Sequence, residues 1–199
     1  MTQVPGFQPG FANPVFDAQA SFRTAMMAVA RPGTVHDSRA HLEPPQPLHP
    51  ATTALALALC DNDTPIWLDA GLAASAEVTT FLRFHTGARL VDTSADAAFA
   101  IISDPLNMPA WDTFALGTLE YPDRSTTLIV QVHTIADDRG WRLSGPGIKG
   151  ETRFLAEPVP AGFLQRRADN HRLFPRGTDI FFAAGGRIAA LPRTTRVLD

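Results

Sequence analysis

The chain has 199 residues, of which 45% are hydrophobic and 19% charged, a composition that excludes a disordered polypeptide and suffices for one buried core. Its longest apolar run, residues 54–60, is far shorter than the roughly 20 residues that cross a bilayer, so we predict no membrane association. Cys60 is the only cysteine, which excludes an intrachain disulfide, and the N-terminus lacks the pattern of a signal peptide. Together these features predict a cytoplasmic protein.

The formal net charge of −3 conceals two oppositely charged regions. Residues 139–199 contain 11 Lys+Arg against 5 Asp+Glu, a balance of +6, whereas residues 1–138 contain 6 against 15, a balance of −9. All the basic residues except one lysine are arginines, which suit bidentate contacts with phosphate or carboxylate. This polarity fits an anionic ligand or a charged partner, and equally a mixed surface that segregates along the sequence. No aromatic-interleaved basic motif accompanies it, so we predict no nucleic-acid partner.

Residues 1–15 are rich in Pro and Gly, which predicts an irregular arm that packs through Phe7 and Phe11. From residue 16 to residue 199 we predict a single α/β domain without internal repeats. Its first helix is expected to run from an N-cap at Asp17 to about residue 30. The spacing of four residues predicts that they form the apolar face of this helix: Phe22, Ala25, Met26 and Val29.

Further helices are predicted at 51–60, 74–84 and 161–173, the second stopping at Gly87 and the third polar enough to lie on the surface. Strands are predicted at 66–68, 98–102, 126–132, 141–143, 179–182 and 187–191. The third of them is apolar on both faces, which indicates a central strand covered on both sides. Two glycines separate the last two strands and indicate an antiparallel hairpin. The pattern predicts an α/β fold with a mixed β-sheet flanked by helices.

Familiar catalytic signatures are absent from the sequence, which has no GxxxxGK[ST] loop, GxSxG elbow, HExxH or paired CxxC motif. The glycines of residues 145–150 are in the wrong order for a phosphate loop and predict a structural turn. The six histidines show no metal-ligand spacing. Cys60 lies beside Asp61 and lacks the positive surroundings that activate a thiol, so we expect it to be inert. We therefore predict no catalytic residue and no metal.

Five residues are candidates for contacts with an anion or a partner subunit. Four are arginines that would clamp phosphate oxygens if buried: Arg124, Arg172, Arg176 and Arg193. Arg124 enters the central strand, whereas open α/β sheets bind ligands at the carboxyl ends of their strands, which favours an ion pair or interface contact there. The fifth candidate is His85, at a predicted helix end, where an interaction with the helix dipole and a general-acid or ligand contact are both open.

Seven segments resemble, in order, the motifs of the PhnH family of bacterial phosphonate metabolism, the H subunit of carbon–phosphorus lyase. They are FRTAMMAVARPGT (22–34), LCDNDTPIWL (59–68), FHTGA (84–88), LGTLEYPDRS (116–125), LSGPGI (143–148), NHRLFPRGTD (170–179) and LPRTTR (191–196). Because the segments run from residue 22 to residue 196 in family order, the resemblance covers nearly the whole chain.

The resemblance implies a fold related to the large domain of pyridoxal-phosphate-dependent transferases, and a homodimer that joins the G, I and J subunits. That machinery couples a phosphonate to the ribose C1′ of ATP with loss of adenine, and a later radical step in the iron–sulfur J subunit breaks the C–P bond. No catalytic residue carries over from the family to this chain. Pyridoxal phosphate requires a lysine for its Schiff base, and only Lys149 is present, after a Gly-Pro-Gly turn. We therefore predict no cofactor.

Three roles are open at this point. An accessory subunit, covered by its partners, is favoured by the aromatic arm, the charge asymmetry and the absence of a catalytic signature. The alternative is a nucleotide- or phosphonate-binding subunit that takes a direct part in the transfer step through its arginines. The third is a dimeric scaffold whose arginines form ion pairs.

Overall fold

The protein, described over residues 8–198 by a computed structural model, is built on two β-sheets. The helices are α1 (Pro14–Ala30), α2 (Pro50–Leu59), α3 (Ala70–Ala73), α4 (Ala76–Thr86) and α5 (Phe163–Arg172). The strands are β1 (His36–Asp37), β2 (Ile66–Leu68), β3 (Leu90–Val91), β4 (Phe99–Ile102), β5 (Thr127–Gln131), β6 (Thr134–Ser144), β7 (Thr152–Glu157), β8 (Asp179–Ala184), β9 (Arg187–Leu191) and β10 (Arg196–Val197). No helix within the described range is both long and apolar enough to cross a bilayer.

The larger sheet has seven strands in the order β1-β9-β8-β5-β4-β2-β3. Its pairs β8-β5, β5-β4, β4-β2 and β2-β3 are parallel, whereas β9 runs antiparallel to both β8 and β1. The predicted α/β fold with a mixed sheet is therefore confirmed. Strand β5 lies in the middle, and the turn between β8 and β9 forms the expected hairpin.

The two faces of the large sheet are covered by different layers, because successive strand residues point to opposite sides. Ile129 of β5 packs with helices α1 and α2, through small residues such as Ala25 and Ala51. Its neighbours Leu128 and Val130 face the other way, into a cluster built by α5 and by a three-stranded antiparallel sheet in the order β10-β6-β7. Helices thus flank one face, while the second face is covered by a small sheet together with α5.

Helix α1 begins at Pro14, three residues before the expected N-cap at Asp17. Pro14 occupies the first turn, where its missing N–H costs nothing, and the Asn13 side chain caps the helix by accepting from the Phe16 N–H. The Asp17 carboxylate accepts in return from the Asn13 N–H, at 2.8 Å, so it completes the cap. Phe7 lies outside the described residues, while Gln8 and Gly10 of the arm contact His85.

The four residues predicted to form the apolar face of α1 divide between the interior of the chain and its surface. The residues of α1 that are buried in the chain are Ser21, Ala25 and Ala28, whose small side chains allow the helix to approach β9 and α2 closely. Phe22, Met26 and Val29 are exposed to 48%, 53% and 38%. The helix therefore carries a wide apolar surface, of which this chain covers only the half with small side chains.

The helices and strands that were predicted lie close to their expected positions, with three differences. The helix expected at 74–84 begins later, at Ala76, because Ser75 caps α4 through the Val78 N–H, and the short helix α3 before it was not predicted; α4 ends as expected at Gly87, in a left-handed conformation. Strand β6 is much longer than the predicted 141–143, and β7 and the two-residue strands β1, β3 and β10 were not predicted. The third difference is in α5, whose Arg167 is buried although the helix was expected to be polar and superficial.

Candidate functional site

The polar centre of the molecule is an arginine hub at the edge of the large sheet where β5 and β8 begin. The Arg193 Nε and Nη2 atoms donate to the Asp179 carboxylate at 2.6–3.2 Å, and Nη2 also donates to Ser125 Oγ at 2.5 Å. Nη1 donates to the carbonyl oxygens of Pro122 and Pro175, at 2.8 and 3.2 Å. Because a guanidinium has five N–H groups, this set occupies all of them. Arg193 is neutralised and saturated, so it has no donor left for a phosphate.

The hub joins three of the segments on which the family resemblance rests, 116–125, 170–179 and 191–196. Asn170 strengthens the junction, since its amide donates to the Thr178 carbonyl and accepts from the Thr178 N–H. Sequence reasoning singled out these segments, but it did not predict that they converge on one guanidinium. The resemblance of these three segments to family motifs is therefore explained first by a structural role, because their residues hold the fold together at Arg193.

Arg167 on α5 lies just behind this hub and is 1% exposed. Its Nη2 donates to the carbonyl oxygens of Pro192 and Thr195, while its Nε and Nη1 have no partner among residues 8–198. Burial lowers the pKa of Arg167 to about 10, and the Asp179 carboxylate partly opposes that shift. The side chain ties the C-terminal segment to α5.

A second polar chain leads outward from the hub to Arg196. The His171 Nδ1 lies 3.0 Å from the Arg193 carbonyl oxygen, and the Arg196 Nε donates to His171 Nε2 at 3.0 Å. A carbonyl oxygen only accepts and a guanidinium only donates, so both hydrogen bonds form when the His171 ring carries a proton on Nδ1 and accepts at Nε2. Arg196, which sequence reasoning did not select, is thereby held in place without a carboxylate.

The other predicted candidates do not join the hub through their own side chains. The Arg124 guanidinium lies 4.1 Å from the centre of the Tyr121 ring, in a cation–π contact within a short turn of helix before β5 rather than in the strand. Arg172 pairs with Asp169 at 2.5 Å on the exposed side of α5. Arg176 is partly buried, and its Nε has no partner within the described part of the chain.

His85 belongs to another region of the molecule, at the end of α4. Its Nε2 atom lies 3.0 Å from the Gln8 carbonyl oxygen, and its ring packs against Phe81 with centroids 4.4 Å apart. A Cβ atom at Gly10 would come within 2.8 Å of the His85 ring, so the arm passes directly over it. The geometry describes a docking point for the arm, and the contacts of His85 with Gln8, Gly10 and Phe81 involve none of the four candidate arginines.

The opposite edge of the sheet, at the carboxyl ends of β2 and β4, is where doubly wound sheets usually bind ligands, because the order of strands reverses there. Here Asp69 fills that crevice and is 8% exposed. Its carboxylate accepts from the backbone N–H groups of Leu72, Ser103 and Asp104, at 3.1, 2.6 and 2.9 Å, and from the Ser103 hydroxyl. Sequence reasoning missed Asp69, although an aspartate between a strand and a helix is a capping signal.

Two further expectations concern reactive groups. Burial, and then the neighbouring Asp61 carboxylate, raise the pKa of the Cys60 thiol, so this cysteine is a buried thiol rather than a nucleophile. Over residues 8–198, no three His, Cys, Asp or Glu side chains are grouped so that they could hold a metal ion.

Comparison with known proteins places these features in a family. The model of a family described as bacterial phosphonate metabolism protein (PhnH) matches residues 9–198. A relative from Rhizobium meliloti (strain 1021), named alpha-D-ribose 1-methylphosphonate 5-triphosphate synthase subunit PhnH, is 42% identical over 191 residues, which is 96% of this chain and 95% of the relative. A putative C-P lyase subunit protein HtxG from Stutzerimonas stutzeri is 32% identical over 104 residues, about half of each chain. The chain therefore belongs to the PhnH family of bacterial phosphonate metabolism proteins.

Proposed function

We propose that this chain is an accessory, non-catalytic subunit of the carbon–phosphorus lyase core, acting in the cytoplasm. In this role it supports the coupling of a phosphonate to the ribose C1′ of ATP, with release of adenine, before the C–P bond is cleaved. The proposal includes a homodimer and contacts with the G, I and J subunits. The names of the two relatives, each a subunit of a larger enzyme, support it.

The observation that carries the proposal is the exposed apolar stripe of α1, formed by Val15, Phe22, Met26 and Val29. At about 100° per residue these four positions fall within roughly 60° of one another around the helix axis, and they extend about 21 Å along it. The side chain of Val15 is 75% exposed, the largest exposure in the stripe. An apolar surface of this length on one helix is typical of a protein–protein interface.

We assign the stripe to the homodimer. It contains no charged residue, so the same surface on a second copy is complementary to it, as twofold interfaces require. The basic balance of +6 in residues 139–199 is instead suited to the G, I and J subunits or to an anionic ligand.

The saturated charges at both edges of the sheet also support an accessory role. Arg193 has no free N–H, and Asp69 occupies the crevice where a ligand of an open sheet would lie. We further propose that the fold is related to the large domain of pyridoxal-phosphate-dependent transferases without using that cofactor. Lys149 is exposed in the loop between β6 and β7. An absorbance band of an internal aldimine that disappears in Lys149→Ala would contradict this.

The test is co-expression of the chain with the G, I and J subunits, followed by affinity purification and measurement of the mass of the isolated chain in solution. We expect Phe22→Glu with Met26→Glu to abolish the homodimer, because two carboxylates in an apolar interface would be desolvated without partners. Ala20→Glu is the matched control, since it adds the same charge to an exposed position of α1 outside the stripe.

The outcomes separate the parts of the proposal. If the wild-type chain purifies without any of the other subunits, the accessory role is wrong. If the double variant remains dimeric but loses the other subunits, the stripe is an interface with them and its assignment to the homodimer is wrong.

A further inference from the structure

Two arginines three residues apart in the C-terminal segment have opposite surroundings. Arg193 is neutralised by Asp179 and has all its N–H groups occupied. The Arg196 side chain is held by the His171 ring, through Nε, and its Nη1 and Nη2 groups have no hydrogen-bond partner among residues 8–198. An imidazole nitrogen that accepts this bond orients the guanidinium without supplying a negative charge, whereas a carboxylate would do both. The geometry therefore leaves four oriented donors and a full positive charge at Arg196.

Arg196 lines a cleft of about 310 Å³, a volume at the lower end of the range of small-molecule sites. Ser144 faces Arg196 directly across the β6-β10 pair, and both residues line the cleft together with Thr194. The hydroxyl groups of Ser144 and Thr194 have no hydrogen-bond partner in the described range. Two hydroxyls beside one guanidinium fork can surround an anion that has three outward oxygens.

The walls of the cleft add an apolar surface. Phe174 lines one side and is 60% exposed, and the turn at Gly145 and Pro146 closes another. Gly145 has φ +141°, and a Cβ atom there would come within 2.9 Å of the Thr194 carbonyl oxygen, so only glycine lets the turn approach so closely. An exposed aromatic ring beside an anion site is suited to stacking with a flat ring of the same ligand.

All the residues that line this cleft come from three of the segments that resemble the family motifs, 143–148, 170–179 and 191–196. Contacts in the hub at Arg193 give a structural role to some residues of the last two segments. They give none to Ser144, to the 145–146 turn, to Phe174 or to Arg196. The homodimer assigned to the α1 stripe uses none of these residues, although they meet at one point.

We propose that this cleft binds a small molecule that carries a phosphate-type oxyanion next to a flat ring. The oxyanion is bound by the Nη groups of Arg196 with the hydroxyls of Ser144 and Thr194, and the ring packs on Phe174. The site goes beyond the accessory role and does not depend on it, because it lies entirely within one chain.

The test is calorimetric titration of the purified full chain with AMP and with inorganic phosphate, at one fixed ionic strength. We expect AMP to bind at millimolar concentration or below, and more tightly than phosphate, because only AMP has a ring to stack on Phe174. Arg196→Gln should weaken AMP binding at least tenfold, since it removes the charge-assisted bonds. Phe174→Ala should reduce the advantage of AMP over phosphate and leave phosphate binding unchanged.

Arg172→Gln is the matched control, because Arg172 is an exposed arginine on α5 whose partner is Asp169 and which does not line the cleft. The affinity of the Arg172→Gln variant for AMP should equal that of the wild type. Thermal unfolding of each variant shows that the fold is retained, and Arg196→Lys keeps the charge while losing the fork, so partial rescue is expected.

Three results would overturn the proposal. One is the absence of heat from AMP at millimolar concentration, and another is equal weakening by Arg172→Gln, which would indicate diffuse charge attraction. The third is that Arg196→Gln leaves AMP binding unchanged but prevents co-purification with the other subunits, which would identify the occupant as a carboxylate of a partner. Assembly through the α1 stripe is measured separately, so the two proposals fail independently.

Discussion

A charged side chain lies at each of two opposite edges of the large sheet, and the two side chains have opposite charges. At the edge where β5 and β8 begin, one guanidinium is surrounded by acceptors, and its charge is cancelled by Asp179. At the edge where β2 and β4 end, one carboxylate is surrounded by donors, and those donors are mainly backbone N–H groups rather than a cation. The comparison teaches that a charged side chain whose hydrogen-bonding groups are all occupied within the chain stabilises the fold, whether the charge is positive or negative. A charged side chain with unoccupied hydrogen-bonding groups, such as Arg196, is the better candidate for binding a ligand.

The largest effect on this comparison is expected from Arg193→Met. The variant leaves the Asp179 carboxylate without its cation and two carbonyl oxygens without their guanidinium donor, and the pair is only 13% and 30% exposed, so we expect a loss of about 3 kcal/mol of unfolding free energy. Chemical denaturation measures it. Arg172→Met, which breaks an exposed pair, should cost less than about 1 kcal/mol. Similar losses in the two variants would contradict the structural role of the hub.

A smaller loss of unfolding free energy than in Arg193→Met is expected from Asp69→Asn, at the edge where β2 and β4 end. The amide keeps one acceptor oxygen, but in either orientation its NH2 group faces a backbone N–H, that of Leu72 or those of residues 103 and 104, at a cost of about 2 kcal/mol. Asp104→Asn is a suitable control, since Asp104 is exposed and caps only a short turn. If Asp69→Asn proves as stable as the wild type, then the crevice is not held closed by this charge.

The smallest effect is expected from His36, on the outermost strand β1 of the large sheet, away from the two charged clusters compared above. Burial, and then Arg31, lower the pKa of His36, while Asp137 opposes them. The native state therefore binds fewer protons than the unfolded state just below pH 6.5, so stability falls as the pH is lowered through that region. The unfolding free energy between pH 5 and 7.5 should rise more for the wild type than for His36→Gln. Equal slopes would show that His36 contributes nothing.

The sequence predicts the parts of the fold that local patterns determine. Apolar residues on both faces place β5 at the centre of the sheet, and two glycines mark the β8-β9 turn. The first part of strand β6 escapes prediction because charged residues interrupt the strand between Ala136 and Trp141, where its register with β7 also shifts. In α1 the periodicity is right, but it does not tell which half of a wide apolar surface is buried within the chain.

The candidate site shows the same division. The many arginines of the C-terminal third identify it as the region of the candidate site, and Arg193 is the centre of the arginine hub. The N–H groups of Arg193 are all occupied because the carbonyl oxygens of Pro122 and Pro175 lie beside it, and no sequence pattern predicts that these two residues meet. Arg167 resembles a surface residue because its neighbours on α5 are polar, yet it faces inward. Side-chain chemistry is visible in a sequence, whereas the partners that satisfy it come from distant segments.

The order of strands has a consequence for synthesis of the chain. Strand β5 pairs with β8 on one side, and residues 132–178 separate the two in sequence. A growing chain that has reached β7 therefore presents an apolar strand with an open row of N–H and C=O groups, the kind of edge on which other chains add. Correct pairing of β5 depends on residues that are made much later than β5 itself, so forms shortened before β8 are expected to aggregate rather than to retain a smaller fold.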